Sequence, residues 1–276
     1  MKIKLFDKKL LQIFYSFLCV ISVITSILLI FLEINTRHKT IIGLVILSFL
    51  VMLYIGIWFY YNTLKSISLK INNSEVEVKL GDIFSDNAEL KAIAFNEYFD
   101  TLVDDIIIAK SSLNGIFIEK FYHNRVEELD EIILADTHMS EMIVDKNIDR
   151  SMGKKFKYKL GTICVINNYL ITAFSRFDDK NRAYLEINDY INCLLNFWNE
   201  VDKVYAGKTV AIPVFGSGIT RFKGYENISE QELLELIIWT FKVSRIKFTY
   251  PSKAKIVVYP NKRKKINFLA LKDLGN

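Results

Sequence analysis

The chain has 276 residues, 51% of them hydrophobic, and a formal net charge of +5. So large an apolar share is more than one water-soluble domain needs, and the apolar residues are expected to be unevenly placed. The charge is modest and shows no basic–aromatic interleaving, which argues against a nucleic-acid partner. The three cysteines and three histidines have no metal-ligand spacing.

Two uncharged runs open the sequence. Leu10 to Leu32 and Ile41 to Tyr61 hold 23 and 21 residues. About 20 apolar residues in a helix cross a bilayer core, and backbone in lipid must satisfy its own hydrogen bonds, so both runs are predicted to be transmembrane helices. The first is longer than a signal-peptide core and lacks a small-residue cleavage site, so it is expected to be retained. Only residues 33–40 separate the runs, which predicts an antiparallel hairpin joined by a tight turn. Lys2, Lys4, Lys8 and Lys9 precede it, Lys65 and Lys70 follow it, and only Arg37 and Lys39 lie between. Basic residues favour the cytoplasmic side, so both flanks are expected there. Trp58, Tyr60 and Tyr61 suit an interfacial belt. Cys19 lies in the first run and Cys164 and Cys193 in apolar stretches; all three read as core thiols, in keeping with a cytoplasmic domain.

Residues 1–63 are therefore expected to form the hairpin and 64–276 a single cytoplasmic domain. Ile67–Ile71 and Glu75–Leu80 read as strands around Asn72-Asn73, a turn-forming pair. Lys91–Phe95 is a short apolar strand, and 115–134 contains helix. Gly161–Asn167 and Tyr169–Ser175 flank a second Asn-Asn pair. Ile187–Val204 has helical spacing at Ile191, Leu194, Leu195 and Trp198. Thr209–Phe215 is a buried strand. Ser229 with Glu232 is a capping box that opens a helix to about Arg245. Lys255–Tyr259 is the last strand. Alternating strands and helices predict an α/β class fold with a mixed, largely buried sheet.

Three short segments carry chemistry. Gly81-Asp82-Ile83-Phe84 follows a strand and offers a carboxylate at its mouth. Asn96 follows the next, with a donor and an acceptor on one amide. Phe215-Gly216-Ser217-Gly218-Ile219-Thr220 follows a third, and successive N–H groups in such a loop make an anion-binding concavity. A ligand with an amine-bearing base, a ribose and a diphosphate matches them in order.

In that order the segments resemble the macro domain, the three-layer α/β/α module that binds ADP-ribose. With two membrane helices ahead of them, they are similar to the membrane-bound macro-domain effectors of Thoeris antiphage systems. The resemblance implies that Asp82 accepts the adenine amine beside Ile83 and Phe84. Asn96 then lies near the distal ribose, and Gly216 to Thr220, with Phe215 also a ligand contact, wrap the diphosphate and the distal ribose by backbone amides. Ser112-Leu113-Asn114-Gly115 stands where macro domains have a first glycine-rich loop, with Asn114 and Gly115 as candidate contacts. Arg221, with Phe222, would meet any group added at the distal ribose. The resemblance further implies a ligand derived from ADP-ribose, such as a conjugate with histidine, and no cofactor or metal. A TIR-domain partner would make that diffusible signal; ligand binding would drive homo-oligomerisation and membrane disruption, with lipid as the other partner. No catalytic residue is implied. The alternative is a membrane-tethered ADP-ribosyl hydrolase.

Overall fold

The computed structural model describes residues 3–31 and 36–275. Helices α1 (Lys8–Phe31) and α2 (Thr36–Thr63) are both long and apolar enough to cross a membrane. Leu32 and positions 33–35 of the expected turn lie outside the described residues. The rest of that turn, Thr36 to Thr40, is helical and belongs to α2. The helices are antiparallel: Phe14 near the start of α1 sits edge-on to Tyr54 near the end of α2, ring centroids 5.1 Å apart. Their outer faces leave large apolar side chains such as Val20, Leu28, Leu44 and Phe59 exposed. In water such a surface is unfavourable by roughly 25 cal/mol per Å²; in lipid it is the proper solvent-facing side.

Strands β1 (Ser66–Ile71) and β2 (Ser74–Leu80) form an antiparallel pair in which Ser66 faces Lys79. Asn72 and Asn73 both have positive φ, 51° and 64°, as the two-residue turn requires. Then come β3 (Leu90–Asn96), α3 (Leu113–Tyr122), α4 (Val126–Ala135) and α5 (Thr137–Glu141). A small ribbon, β4 (Ile143–Lys146) with β5 (Phe156–Tyr158), stands apart from the main sheet. The chain continues through β6 (Ile163–Ile166), β7 (Tyr169–Phe177), β8 (Ala183–Glu186), α6 (Ile187–Val204), β9 (Val210–Pro213) and β10 (Arg221–Lys223). It ends with α7 (Glu230–Ser244), β11 (Ala254–Val258), a 3-10 turn over Pro260–Lys265 and α8 (Phe268–Leu271).

The sheet runs β1-β2-β11-β9-β3-β7-β8-β10, with β6 also on β7. Strands β2, β11, β9, β3 and β7 are mutually parallel; β1, β6 and β8 run the other way. The alternation of period two divides each central strand between two cores. Leu90, Ala92, Val210, Ile212, Ile256 and Val258 face α6 and α7, where Phe197, Trp198 and Phe241 pack. Ile93, Phe95, Ala211 and Val257 face α3, α4 and α5, where Phe117, Leu129 and Met139 pack. The architecture is the expected three-layer α/β/α sandwich with a mixed sheet. Helix α6 buries Tyr190, Cys193, Leu194, Phe197, Trp198 and Val201, a helical stripe. Cys164 and Cys193 are buried free thiols; burial, aided by the Asp136 charge, pushes the Cys164 thiol up to about 12. Neither is a nucleophile at neutral pH.

Candidate functional site

Parallel strands direct their carboxyl ends to one edge of the sheet, and ligands of open α/β sheets bind in the crevice there. Here that edge carries the segments 81–84, 96–100, 214–220 and 259–262. Together with the start of α3 they surround a cleft of about 500 Å³. Of the residues singled out in the sequence, Asp82, Ile83, Phe84, Asn96, Asn114 and all of Phe215 to Thr220 line it. Gly115 and Arg221 do not. Gly115 lies under the cleft wall, where a Cβ would stand 2.3 Å from the carbonyl oxygen of Ala109. Its lack of a side chain allows the backbone of residue 109 to rest on α3. Arg221 is on β10 at the sheet margin and points to solvent. Phe222 is buried beneath the loop, on the core side of Gly216.

The first wall is the turn after β2. The Phe84 N–H donates to Asp82 Oδ1 (3.1 Å), and the N–H groups of Ser85 and Asp86 donate to the Asp82 carbonyl. Asp82 itself is exposed at the cleft mouth. Below it Asp86 is buried and receives Lys79 (2.8 Å), Lys255 (3.2 Å) and the Ala88 N–H (2.8 Å). Desolvation acts to raise the Asp86 pKa, but these donors outweigh it and hold the carboxyl below the usual range. The turn that presents Asp82 is thus pinned to β2 and β11 by ions.

Asn96 ends β3 and is buried. Its Oδ1 accepts the N–H groups of Tyr98 (2.9 Å) and Asp100 (3.2 Å), and its Nδ2 donates to Asp100 Oδ2 (2.9 Å). Asp100 is fully buried and gripped by both guanidinium nitrogens of Arg150 (3.0 and 2.7 Å) and by the Lys154 N–H. The Asn96 amide, which also lines the cleft, is bonded within the chain through Oδ1 and one of its two Nδ2 hydrogens. It shapes the 96–100 turn, in which Phe99 has φ 51°.

The second wall is 101–112 with the start of α3. Asp104 Oδ1 accepts the N–H groups of Ile106 and Ile107, Asp105 Oδ1 accepts that of Lys110, and Ser112 caps α3 by accepting from Gly115 (3.0 Å). At the cleft side of α3, Asn114 is buried and its Oδ1 has no hydrogen-bond partner. A buried acceptor in that condition favours a donor arriving from outside.

The third wall is 214–220. Gly216 has φ 82°, and a Cβ there would meet the Phe222 ring at 2.8 Å. The Ser217 N–H closes a turn on the Val214 carbonyl. Among the described residues, no chain acceptor takes the N–H groups of Gly216, Gly218, Ile219 or Thr220. Lys262 stands beside them: its Nζ donates to the Ser217 carbonyl (3.0 Å) and to Glu230 (2.7 Å). Tyr259, Asn261 and Lys262 all line the cleft, and so do Phe174, Ser175 and Phe177 of β7. The sequence reading missed both groups. A run of lysines and arginine at 262–265 reads as a solvated face. Only the placement of β11 between β2 and β9 brings its end to the middle of the cleft.

The sequence profile described as Thoeris protein ThsA, macro domain, matches residues 76–259. Thoeris protein ThsA of Bacillus amyloliquefaciens (strain Y2) is 42% identical over 246 residues, 88% of this chain and 82% of that protein. The chain belongs to the ThsA macro-domain family. It is a protein of Thoeris antiphage defence, with two membrane-spanning-capable helices ahead of a macro domain. The fold also matches the Oceanobacillus iheyensis macrodomain. An aspartate-to-alanine mutant of it superposes with a TM-score of 0.51 at 12% identity, over 76% of this chain and 98% of that one. The form with MES bound gives 0.50 at 12% identity, over 76% and 96%. At that identity the likeness concerns the fold alone.

Proposed function

We propose that this ThsA-family protein is a membrane-anchored effector whose macro domain binds an ADP-ribose-derived nucleotide on the cytoplasmic side. The observation that carries the reading is the set of unclaimed N–H groups of Gly216, Gly218, Ile219 and Thr220 beside the Lys262 ammonium. A diphosphate is the ligand group that suits such a nest, since each oxygen takes charge-assisted bonds from N–H donors. Asp82, exposed at the mouth, accepts the adenine amine, with Ile83 and Phe84 as its apolar floor. Asn114 accepts from a ribose hydroxyl. Asn96 serves by holding the 96–100 turn through Asp100 and Arg150.

In this reading a TIR-domain partner makes the nucleotide, an ADP-ribose conjugate with an added group at the distal ribose. Binding favours a self-associated form, because a ligand shifts an equilibrium only toward the state it binds more tightly. The associated hairpins then breach the membrane. The domain acts by binding and not by turnover. Its 101–112 wall has no glycine and is fixed by its own aspartates, whereas hydrolysis in macro domains uses a mobile glycine-rich loop there.

Calorimetry on the full chain in nanodiscs tests the binding, and dye release from anionic vesicles tests the consequence. ADP-ribose is expected to bind with one site per chain, and Asp82→Ala to weaken it about tenfold, one lost polar contact of about 1.4 kcal/mol. Absence of any heat of binding, or measurable ADP-ribosyl hydrolysis, contradicts the proposal.

A further inference from the structure

The membrane helices attach at the same edge of the sheet on which the cleft opens. Only Leu64 and Lys65 separate α2 from β1, and β1 begins opposite Lys79, two residues before Gly81. The Leu80 N–H donates to the Lys65 carbonyl at 2.8 Å. A second connection runs through the C-terminal segment. Within the 3-10 turn Pro260–Lys265, neighbouring side chains reach opposite ways. Lys262 lies in the cleft, on the Ser217 carbonyl and Glu230. Arg263 donates to the carbonyl of Asn62 at 2.7 Å and to that of Ile266 at 3.1 Å, with its guanidinium 5.0 Å from the Phe268 ring centroid.

Asn62 is in the last turn of α2, where carbonyls have no intrahelical partner and a cation is favoured. Arg263 is therefore the C-terminal cap of a membrane helix, supplied from the segment that lines the cleft. Asn62 is held on its other side as well, since its Oδ1 accepts the Ile3 N–H (2.9 Å). Beyond the turn, α8 divides its faces. Phe268 and Leu271 are buried in the domain core, while Leu269 packs with Ile3 and Leu10 against Trp58 and Tyr61 of α2. Lys9 donates to the Ala270 carbonyl (3.1 Å) and pairs with Asp273.

We propose that the segment from Tyr259 to Asn267 couples the cleft to the hairpin, with Lys262 as its cleft-side contact and Arg263 as its hairpin-side contact. The proposal rests on reading the cleft as a nucleotide-anion site. A diphosphate on the 216–220 amides competes with the Ser217 carbonyl and Glu230 for the Lys262 ammonium. Drawing that ammonium inward re-seats a six-residue turn whose φ is fixed at one end by Pro260. Because Arg263 is the next residue, its grip on the Asn62 carbonyl changes with it. Coupling of this kind is reciprocal: whatever loosens the hairpin contact also alters the affinity of the cleft.

Hydrogen exchange read by mass spectrometry on the full chain in nanodiscs, with ADP-ribose as the probe, tests it. ADP-ribose should protect 81–84 and 214–220 and also change exchange at 58–65. Arg263→Gln should speed exchange at 58–65 about fivefold, the effect of one lost helix cap; at saturating ADP-ribose it should still protect 214–220, but at a shifted half-saturating concentration. Lys262→Gln without any nucleotide should alter 58–65 too, because the segment has lost its cleft-side hold. Protection of the cleft with 58–65 unchanged overturns the coupling and leaves the ligand reading standing. No protection of the cleft overturns the ligand reading instead. The coupling is then decided by Lys262→Gln alone, and an unchanged 58–65 in that variant overturns it.

Discussion

Loop 101–112 and loop 214–220 line the same cleft, and the first ties five of its backbone N–H groups to acceptors of its own where the second ties one. In 101–112 the groups of Asp105, Ile106, Ile107, Lys110 and Ser112 are all donated within the loop, mostly to aspartate side chains. In 214–220 the Ser217 group is, and among the described residues no chain acceptor takes those of Gly216, Gly218, Ile219 or Thr220. The turn at 81–88 sides with the first, being fixed by the Asp86 ion cluster. A site built this way has two stiff walls and one wall of donors. Stiff walls reduce the ordering cost of binding, and donors that need no rearrangement contribute their full electrostatic worth. Damage to the stiff walls should therefore appear as lost stability, and damage to the donor wall as lost affinity.

The largest effect is expected at Asp86. Asp86→Asn leaves Lys255 buried and without its carboxylate, and breaking such a pair costs on the order of 3 kcal/mol. Urea unfolding of the micelle-solubilised chain reads it. The same group sets a pH dependence. Its native pKa is lowered, so its contribution is present above the ordinary carboxylate value of about 4 and is lost as pH falls through the native value. The unmodified chain should lose stability below about pH 4 more steeply than Asp86→Asn.

Next comes Gly115→Ala, whose added methyl meets a backbone carbonyl that cannot turn aside. Overpacking of that kind costs about 2 kcal/mol and should lower the melting temperature, with affinity following only as far as α3 shifts. Gly216→Ala is expected to reverse that pattern. The positive φ and the Phe222 ring together displace the loop, and nucleotide affinity should fall at least tenfold, about 1.4 kcal/mol, at a smaller cost in stability. The smallest effect is expected from Asp104→Ala. It removes a half-buried acceptor of two N–H groups, costs about 1 kcal/mol and should make 104–108 exchange faster. Should Asp104→Ala weaken nucleotide binding more than Gly216→Ala, the division between the walls is wrong.

Much of this was legible beforehand, for reasons that differ along the chain. Helix α6 runs over the expected Ile187–Val204 because its apolar stripe has a strong period and buries one continuous face. The β1–β2 hairpin was readable from Asn72-Asn73, because few residues other than glycine and asparagine accept two successive positive φ values. Asp82 and the Gly-Ser-Gly loop were readable because each follows a strand directly. Strands β8 and β10 are too short to show a period. Asn96 carried the right chemistry for a ligand, but its bond to Asp100, which Arg150 grips from 50 residues further along the chain, could not be read from the sequence. Contacts so distant in sequence leave no local pattern. Lys262 was hidden for the same reason: its neighbours Ser217 and Glu230 are 45 and 32 residues away.

The contrast between walls has a direct spectroscopic test, because the chain has only 11 glycines. A spectrum of the full chain in micelles with ¹⁵N at glycine alone reports Gly81, Gly216 and Gly218 in the cleft, against Gly153, Gly207 and Gly224 elsewhere. On titration with ADP-ribose, Gly216 and Gly218 should move furthest and saturate together, Gly81 should move less, and the last three should stay in place. Unmoved Gly216 and Gly218 signals, or shifts confined to Gly153, Gly207 and Gly224, would contradict the assignment of the open amides to a nucleotide diphosphate.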